Sequence, residues 1–291
     1  MTGNKVAASL APGDTDGCLA ELGRLAPRIG LAEVRLDLMG SFDVEKLVAG
    51  SPVPLVLTCR PERERGGFAG AEADRLAILR SAYEAGAAYI DVELDTLDLV
   101  AGWAGSPTRI IASRHWYDGM PSGLHDTYLD LRGRCDVVKL VGTAHAAADV
   151  LPVLALLASA TTPVIGMAMG GPGTCTRILA PAFGCTVLTY GSAAAASQTA
   201  PGQLTVEEMT DRYALDAVSP ATRVYLHITS SGRDEADVLG AQDRAAPGAE
   251  LHVSLRTGPG DAPALAAQVA KAVPGITVEV GAAASSADPQ R

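Results

Sequence analysis

Eight short runs of apolar and β-branched residues recur through the first two thirds of the chain, and this repetition constrains the fold more than any other feature. They begin at or next to Lys5, Leu31, Pro54, Ala87, Arg109, Asp136, Pro163 and Cys185. Segments with apolar residues at helical spacing lie between or after them, at 16–26, 72–86, 146–160 and 205–213. Strands and helices alternating in this way predict an α/β fold, and eight repeats predict a (β/α)8 TIM barrel. No GxGxxG follows an early strand, so a nucleotide-binding doubly wound sheet is not favoured.

The chain changes character after residue 214. Residues 215–291 contain three strand-like runs, a charged stretch and one alanine-rich helical segment, and they end in GAAASSADPQR. We therefore predict two domains, a barrel over 1–214 and a small α/β appendage of βαβαβ type over 215–291 with a disordered tail. The appendage carries no motif that indicates chemistry.

Composition narrows the classes of partner. The net charge of -10 argues against nucleic acid, although local arginines can still bind an anionic small molecule. The five cysteines are scattered and never form CxxC, which indicates reduced thiols rather than disulfides or a metal site. No apolar run approaches the roughly 20 residues of a membrane helix, and no signal peptide is recognisable. We expect a cytoplasmic protein without a metal.

Polar residues recur at the carboxyl ends of the predicted strands, where a parallel barrel places its active site. Residues two apart on a strand share a face, so such pairs project toward the same side. The candidates in chain order are Glu33, Arg35, Asp37, Thr58, Arg60, Asp91, Glu93, Ser113, His115 and Lys139. The alternative is that these residues form a solvated, salt-bridged rim. However, polar residues occur at the carboxyl ends of five adjacent strands.

Lys139 is the most unusual of these residues, because it interrupts the apolar strand DVVKLVG and is one of only four lysines. In an apolar surrounding its pKa would fall and its amine could attack a ketone to form an imine. His115, on the preceding strand, has the basicity for proton transfer. Alternatively, Lys139 extends to a rim carboxylate such as Asp91. Its position alone does not decide between these two hypotheses.

Several motifs together resemble those of type I 3-dehydroquinate dehydratase, the Schiff-base enzyme of the shikimate pathway. They are EVRLD at Glu33, TCR at Thr58, SRH at Ser113, DVVK at Asp136, GMAMGGPGTCTR ending at Arg177, and TAPGQ over 199–203. The resemblance covers about residues 5–213. It implies a (β/α)8 barrel, usually a homodimer, that needs no cofactor. YALDAVSPATRVYLHIT additionally resembles the junction at which some members are fused to shikimate dehydrogenase.

The resemblance implies a role for each matching residue. Lys139 would form the imine with the C3 ketone of 3-dehydroquinate, and His115 would move the C2 proton to the departing C1 hydroxyl. Arg177 would hold the substrate carboxylate. The remaining implied contacts to substrate are Ser9, Glu33, Arg35, Arg60, Thr199 and Gln203. Glu64 is our choice for the carboxylate that orients His115, with Glu62 as the alternative.

Three departures from the family pattern stand out. Arg65 separates Glu64 from the following Gly-Gly in RPERERGGF. Thr199 stands where a serine is common. Tyr190 occupies the usual aromatic position, with a spacing from Arg177 that is one residue longer. Two other functions stay open. One is another Schiff-base barrel, an aldolase or transaldolase, and the other is a catalytically silent ligand-binding or regulatory homologue, which the altered Glu64 loop and the appendage suggest.

Overall fold

The computed structural model describes residues 4–194, 202–230, 236–237, 250–258 and 260–281, with 236–237 described by their backbone alone. Eight parallel strands form the first sheet, in the order β7-β6-β5-β4-β3-β2-β1-β8. The strands are β1 (Val6–Leu10), β2 (Leu31–Arg35), β3 (Leu55–Thr58), β4 (Tyr89–Glu93), β5 (Arg109–His115), β6 (Val137–Thr143), β7 (Val164–Met169) and β8 (Thr189–Ser192). The predicted barrel fold is confirmed.

The barrel closes between β7 and the segment that leads into β8. The Val164 amide donates to the Cys185 carbonyl at 2.9 Å, and the Val187 amide donates to the Val164 carbonyl at 3.0 Å. On the other side, β8 pairs directly with β1. The contact between β7 and the segment before β8 is a single bridge between Val164 and Thr186, so the eight strands form a nearly closed ring.

Helices pack on the outside of this barrel. They are α1 (Thr15–Leu25), α2 (Val44–Gly50), α3 (Glu72–Glu84), α4 (Leu97–Val100), α5 (Leu124–Leu131), α6 (Leu151–Ser159) and α7 (Thr174–Leu179). Aspartates cap the first two, because the Asp14 and Asp43 carboxylates each accept from a first-turn amide at 2.8 Å. The predicted helix at 146–160 begins with a 3-10 turn over Ala147–Val150, and the one at 205–213 contains a π-helix over Glu208–Arg212.

Strand β6 illustrates how the sequence pattern positions the site. Val138 and Leu140 belong to the core between sheet and helices, whereas Val137 and Val141 belong to a second apolar cluster inside the barrel. Lys139 lies between these two interior valines in the strand. Because side chains alternate between the two faces of a strand, Lys139 points into the barrel rather than toward the helices.

The C-terminal region forms a separate four-stranded sheet in the order β10-β11-β9-β12. Its elements are β9 (Arg223–Ser230), β10 (Ala236–Asp237), β11 (Glu250–Thr257), α8 (Ala262–Ala272) and β12 (Ile276–Gly281). α8 packs against this sheet and against α6 of the barrel. The first helix of the predicted βαβαβ unit and the predicted tail fall largely outside the described residues, and the boundary at residue 214 stays a prediction. Within the described ranges, no helix is long and apolar enough to cross a membrane.

Candidate active site

Four side chains from alternate strands meet in one layer near the carboxyl end of the barrel. They are Glu33 of β2, Asp91 of β4, Lys139 of β6 and Tyr190 of β8, and each is at most 6% exposed. Two positions earlier on each strand segment lie Leu31, Tyr89, Val137 and Leu188, which belong to the apolar cluster inside the barrel. In a barrel interior, the side chains of one layer usually come from alternate strands. Here a polar layer stands directly on an apolar one.

Lys139 is the centre of this polar layer. Its Nζ donates to Asp91 Oδ2 at 2.8 Å and to Glu33 Oε1 at 3.1 Å, and it lies 3.4 Å from the Tyr190 hydroxyl oxygen. Burial by itself lowers the pKa of this ammonium, but the Asp91 and Glu33 carboxylates outweigh it, so the pKa is raised above its ordinary value. The structure therefore lacks the apolar surrounding and the lowered pKa that the first of the two hypotheses assumed for Lys139, and it has the Asp91 contact that the second assumed.

The two carboxylates are held ionised by the same contacts. Burial raises the pKa of a carboxyl, yet nearby cations lower the pKa of both, Lys139 for Glu33, and Arg60 together with Lys139 for Asp91. Hydroxyls complete their coordination: Ser9 and Thr58 donate to Glu33, and Ser113 donates to Asp91. A buried charge cluster is tolerable only when its members are paired in this way.

Arg60 extends the layer sideways into a second pair of charges. Its guanidinium contacts Asp91 Oδ1 at 3.0 Å and donates to Glu93 Oε1 at 2.7 Å and to Ser113 Oγ at 2.8 Å. Glu93 in turn pairs with Arg75, which comes from α3 and is fully buried. Arg75 also donates to the Cys59 carbonyl at 3.0 Å. The helix thus anchors the charge network from outside the sheet.

His115 lies at the end of β5, and Glu64 holds its imidazole. His115 Nδ1 is 2.9 Å from Glu64 Oε2, and the Tyr117 hydroxyl donates to the Glu64 carbonyl oxygen at 2.5 Å. In the ladder with β6, Ser113 pairs with Lys139, so His115 lies one two-residue step beyond Lys139, roughly 6.6 Å along the strands. Of the two glutamates left open by the sequence, Glu64 is the one that contacts His115.

A tight loop delivers Glu64 to this position. Glu62–Glu64 forms a single 3-10 turn, and Arg65 follows it in the left-handed conformation with φ of 52°. A Cβ at Gly66 would lie 2.0 Å from the Arg60 carbonyl oxygen, so only glycine fits there. Arg65 stacks on the Tyr117 ring at 4.4 Å. The inserted arginine therefore occupies the mouth of the site and leaves the Glu64 contact in place.

The pKa values of this pair are shifted in opposite directions. Burial, together with the Arg60 and Lys139 cations, lowers the pKa of His115 well below its ordinary value. Burial raises the pKa of Glu64 to about 7, even though Arg60 opposes the shift. At neutral pH His115 is consequently a neutral base. With Nδ1 protonated and donating to Glu64, its Nε2 lone pair is free for proton abstraction.

Arg177, in the last turn of α7, is a buried cation without a carboxylate contact among the described residues. It is 2% exposed, its Nη1 lies 3.2 Å from the Met167 sulfur, and its Nε has no hydrogen-bond partner in the described part of the chain. Burial lowers its pKa to about 10. An unpaired guanidinium at such a site is suited to bind a ligand carboxylate through two hydrogen bonds.

These side chains line one cavity of about 290 Å³ at the carboxyl end of the barrel. Its lining includes the predicted residues Ser9, Glu33, Arg35, Arg60, Glu64, His115, Lys139, Arg177 and Gln203. The volume suits a small molecule. Thr199 lies outside the described residues. Arg35 lines the cavity while Asp37 holds its guanidinium through two hydrogen bonds of 2.9 and 2.6 Å.

Some residues of the site were not selected from the sequence. Arg65, Tyr117 and Tyr190 line the cavity, and Arg75 supports Arg60 through Glu93, which was a candidate from the sequence. A signal existed for Arg75, because it shares the buried side of α3 with Leu79, Ala82 and Tyr83, where a charged residue is unexpected. Among the described residues, no group of three or more His, Cys, Asp or Glu side chains is arranged to hold a metal ion.

Comparison with known proteins identifies the family to which the barrel region is similar. Residues 6–220 match the family model described as type I 3-dehydroquinase. A 3-dehydroquinate dehydratase from Desulfotalea psychrophila is 37% identical over 190 residues, covering 61% of this chain and 83% of that protein. A bifunctional 3-dehydroquinate dehydratase/shikimate dehydrogenase from Arabidopsis thaliana is 35% identical over 67% of this chain, which spans only 34% of that longer protein.

Solved structures extend the likeness of the fold. Type I 3-dehydroquinate dehydratase from Clostridium difficile superposes with a TM-score of 0.63 at 22% identity, over 72% of this chain and 91% of that one. The dehydroquinate dehydratase and shikimate dehydrogenase structure from S. pombe has a TM-score of 0.59 at 18% identity and covers 97% of this chain, which spans 57% of it. The family-model match, the Desulfotalea relative and the assembled cavity together establish that this chain belongs to the type I 3-dehydroquinase family.

Proposed function

We propose that this chain dehydrates 3-dehydroquinate to 3-dehydroshikimate through an imine on Lys139. The observation that carries the proposal is the buried Lys139, paired with two carboxylates, in a cavity that also contains a neutral His115 and an unpaired Arg177. The named relatives act on 3-dehydroquinate, and the site has a group for each step that this dehydration requires.

Substrate binding would begin with an ionic contact to the substrate carboxylate. Arg177 would take the substrate carboxylate, because its guanidinium is buried and its Nε lacks a partner among the described residues. The carboxylate would replace the hydration that Arg177 lost on folding. Ser9, Glu33, Arg35 and Gln203 line the same cavity and can bond the ring hydroxyls. In this way the ring would be fixed before any bond changes.

Imine formation requires Lys139 to lose a proton. The Asp91 and Glu33 carboxylates, at 2.8 and 3.1 Å from Nζ, are the nearest acceptors. The neutral amine then attacks the C3 ketone, and loss of water from the addition product gives a cationic imine. That cation draws electrons from the adjacent C2–H bond and makes its proton acidic.

His115 then transfers the proton that the elimination moves. Its Nε2 would take the C2 proton to give an enamine, while Glu64 stabilises the imidazolium through Nδ1. The C1 hydroxyl departs with that same proton as water, and the imine is regenerated in conjugation. Hydrolysis of this imine releases 3-dehydroshikimate and returns Lys139 to its starting state.

The test is covalent trapping. Borohydride added to the protein with 3-dehydroquinate should reduce the imine, and mass spectrometry of digested protein should find the adduct on the peptide containing Lys139. A conjugated product absorbing in the ultraviolet should appear when borohydride is omitted. Folded protein that gives neither the adduct nor the product would contradict the proposal.

Assembly and location are further parts of the proposal. We propose a homodimer in the cytoplasm, with dehydration carried out by the barrel domain (1–214) and no catalytic role for the appendage (215–291). The support is the family resemblance and the absence of a catalytic motif in the appendage. Light scattering coupled to size-exclusion chromatography tests the dimer, and chains ending at residue 214 or 291 with different turnover would contradict the division of roles.

A further inference from the structure

Arg65 lines the cavity, and the reaction scheme above gives it no role. It is the extra residue between Glu64 and the two glycines that follow, and its side chain is 63% exposed. Arg177 lines the same cavity but is only 2% exposed. The two arginines therefore differ in access, because Arg65 meets solvent at the mouth and Arg177 is enclosed. An anion that enters from solvent has Arg65 within reach before it reaches Arg177.

The stability of the fold does not account for the conformation of Arg65. Its backbone is left-handed, with φ of 52°, which is unfavourable for a residue that has a Cβ. Its guanidinium carbon lies 4.4 Å from the centre of the Tyr117 ring, and its Nη2 lies 3.3 Å from Asp118, whose side chain is fully exposed. An exposed ion pair of this kind contributes little to stability. A strained residue at the edge of a cavity therefore indicates a function.

Most of the hydrogen-bonding capacity of Arg65 is available to a ligand. An arginine side chain has several N–H donors, and among the described residues that of Arg65 makes one hydrogen bond, from Nη2 to Asp118 Oδ1. Three other cations of the cavity lining, Arg35, Arg60 and Lys139, are each paired with carboxylates inside the fold. An incoming carboxylate can replace Asp118 at little cost, because the Asp118 side chain is fully exposed and the ion pair is weak.

The charge of the whole chain makes the position of this cation important. The net charge is -10, so the average field around the protein repels an anion. 3-Dehydroquinate has one carboxylate and is therefore an anion near neutral pH. A positive group at the entrance of a cleft raises the local concentration of an anionic ligand and its rate of association. Arg65 is such a group, since it combines exposure to solvent with a position in the cavity lining.

We propose that Arg65 binds the anionic substrate first, at the mouth of the cavity, and that the substrate carboxylate then passes to the buried Arg177. This inference rests on the proposed dehydratase function. Arg65 exchanges Asp118 for the carboxylate as the substrate enters, while stacking on Tyr117 holds the guanidinium in place. The carboxylate stays in the field of Arg65 in the bound substrate and in the transition state alike. The contribution of Arg65 therefore falls on kcat/KM and not on kcat.

Steady-state kinetics of Arg65→Gln at two salt concentrations test this role. At about 0.02 M ionic strength, kcat/KM for 3-dehydroquinate should fall about fivefold, the size of a Coulomb interaction between unit charges several ångströms apart near a protein surface. The value of kcat should stay within about twofold of wild type. At about 1 M salt the screening length is about 3 Å, so kcat/KM of the two proteins should become nearly equal. Arg65→Lys keeps the charge and should keep kcat/KM within about twofold of wild type.

Arg63→Gln is the matched control. Arg63 belongs to the same loop and carries the same charge, but it does not line the cavity and is paired with Glu72 and Asp95. Its removal changes the net charge of the protein by the same amount. We expect kcat/KM of this variant to stay within about twofold of wild type at both salt concentrations. An effect of net charge alone would lower kcat/KM equally in both variants, whereas the proposed role lowers it only in Arg65→Gln.

The outcomes separate this inference from the proposed function. Folded wild-type protein without turnover would contradict the function and, with it, the role of Arg65. Turnover in wild type with equal kcat/KM in Arg65→Gln and Arg63→Gln would overturn the role of Arg65 alone. A loss that falls on kcat, that persists at high salt, or that Arg65→Lys shares would also overturn it. If Arg65→Gln does not fold, Arg65→Gly preserves the loop, because glycine adopts a positive φ freely, and the same salt-dependent loss of kcat/KM is expected.

Discussion

Each end of the barrel buries a lysine, and the surroundings shift the pKa values of these two lysines in opposite directions. Lys5, which precedes β1 at the amino end, is 7% exposed and, among the described residues, donates to the carbonyl oxygens of Pro181 and Phe183, at 3.1 and 2.9 Å. Burial lowers its pKa. Lys139, 4% exposed at the carboxyl end, pairs with two carboxylates, and its pKa is raised.

The comparison teaches that a lowered pKa does not by itself mark the reactive lysine. Lys5 has the electrostatic property first expected of the nucleophile, but it does not line the catalytic cavity and its amine is engaged with backbone carbonyls. Lys139 has the proton acceptors, the neighbouring base and the space for a substrate. Position and partners therefore outweigh the direction of a single pKa shift in assigning the role.

The largest expected effect comes from removing the nucleophile. Lys139→Ala should lower kcat by at least about 10⁴-fold, in line with the loss of a nucleophile in other enzymes that act covalently. Steady-state assays of the ultraviolet-absorbing product measure the loss, with circular dichroism as the check on folding. A folded Lys139→Ala protein with ordinary turnover would show that the buried lysine at the carboxyl end is not the catalytic nucleophile.

Arg177 should show that the carboxyl end is organised for binding at the expense of stability. Arg177→Met should lower kcat/KM by about 10²- to 10³-fold, because a charge-assisted bidentate contact worth about 3 to 4 kcal/mol is lost. The same variant should be more stable by about 2 kcal/mol, since a buried cation without a carboxylate contact among the described residues is replaced by an apolar chain. Urea unfolding without substrate measures this, and a loss of stability would contradict it.

Substitution of Glu64 is expected to have a smaller effect on kcat, and this effect depends on pH. Glu64→Gln should lower kcat about 10²-fold at pH 8, because the amide cannot stabilise a charged His115 as a carboxylate does. In wild type, activity should rise with pH as Glu64 ionises, since its pKa is raised to about 7. The rise should be absent in the variant, and identical pH profiles of kcat for the two proteins would contradict the assignment.

The raised pKa of Glu64 also makes the free energy of unfolding depend on pH. The Glu64 carboxyl titrates at 4.5 in the unfolded chain and at about 7 in the folded one, so the folded state keeps a proton that the unfolded state loses. Its contribution to stability is fully present below pH 4.5, and it declines by about 3 kcal/mol as the pH rises past 7. The difference in unfolding free energy between wild type and Glu64→Gln, measured at pH 5 and pH 8, should move by an amount of that order.

Lys5→Met is expected to have the smallest effect and sharpens the comparison. Turnover should stay within about twofold of wild type, because Lys5 does not line the cavity. Stability should change by no more than about 2 kcal/mol, since removal of a buried charge offsets the loss of two hydrogen bonds to carbonyls. A large loss of kcat with an intact fold would assign Lys5 a role in catalysis that its position does not suggest.

The barrel could be predicted from the sequence because its signals are local. β-Branched runs such as PVIGMAM and RIIASRH each form one strand, and the alternation along β6 decides which face holds Lys139. The ends of helical segments were less predictable. The segment at 205–213 contains a π-helix over Glu208–Arg212, which no local sequence pattern predicted.

The site was predictable in its members but not in its electrostatics. His115, Lys139 and Arg177 follow from strand ends and family motifs, and the structure brings them to one cavity. The pairing of Lys139 with Asp91 depends on two strands that are not neighbours, so neither strand alone reveals it. The contact with Asp91 that one hypothesis expected is present, and the covalent role of Lys139 in the other hypothesis stays a prediction.

The layer built by β2, β4, β6 and β8 also has a consequence for the order in which the enzyme becomes competent during synthesis. Glu33, Asp91 and Lys139 are translated well before Tyr190. The β1–β8 ladder joins residues more than 180 positions apart, and such long closures come late and slowly. A nascent chain can therefore assemble its ion pairs first and complete the lining of the cavity, which includes Tyr190, only when the barrel closes. We expect catalytic competence to be the last property the folding barrel acquires.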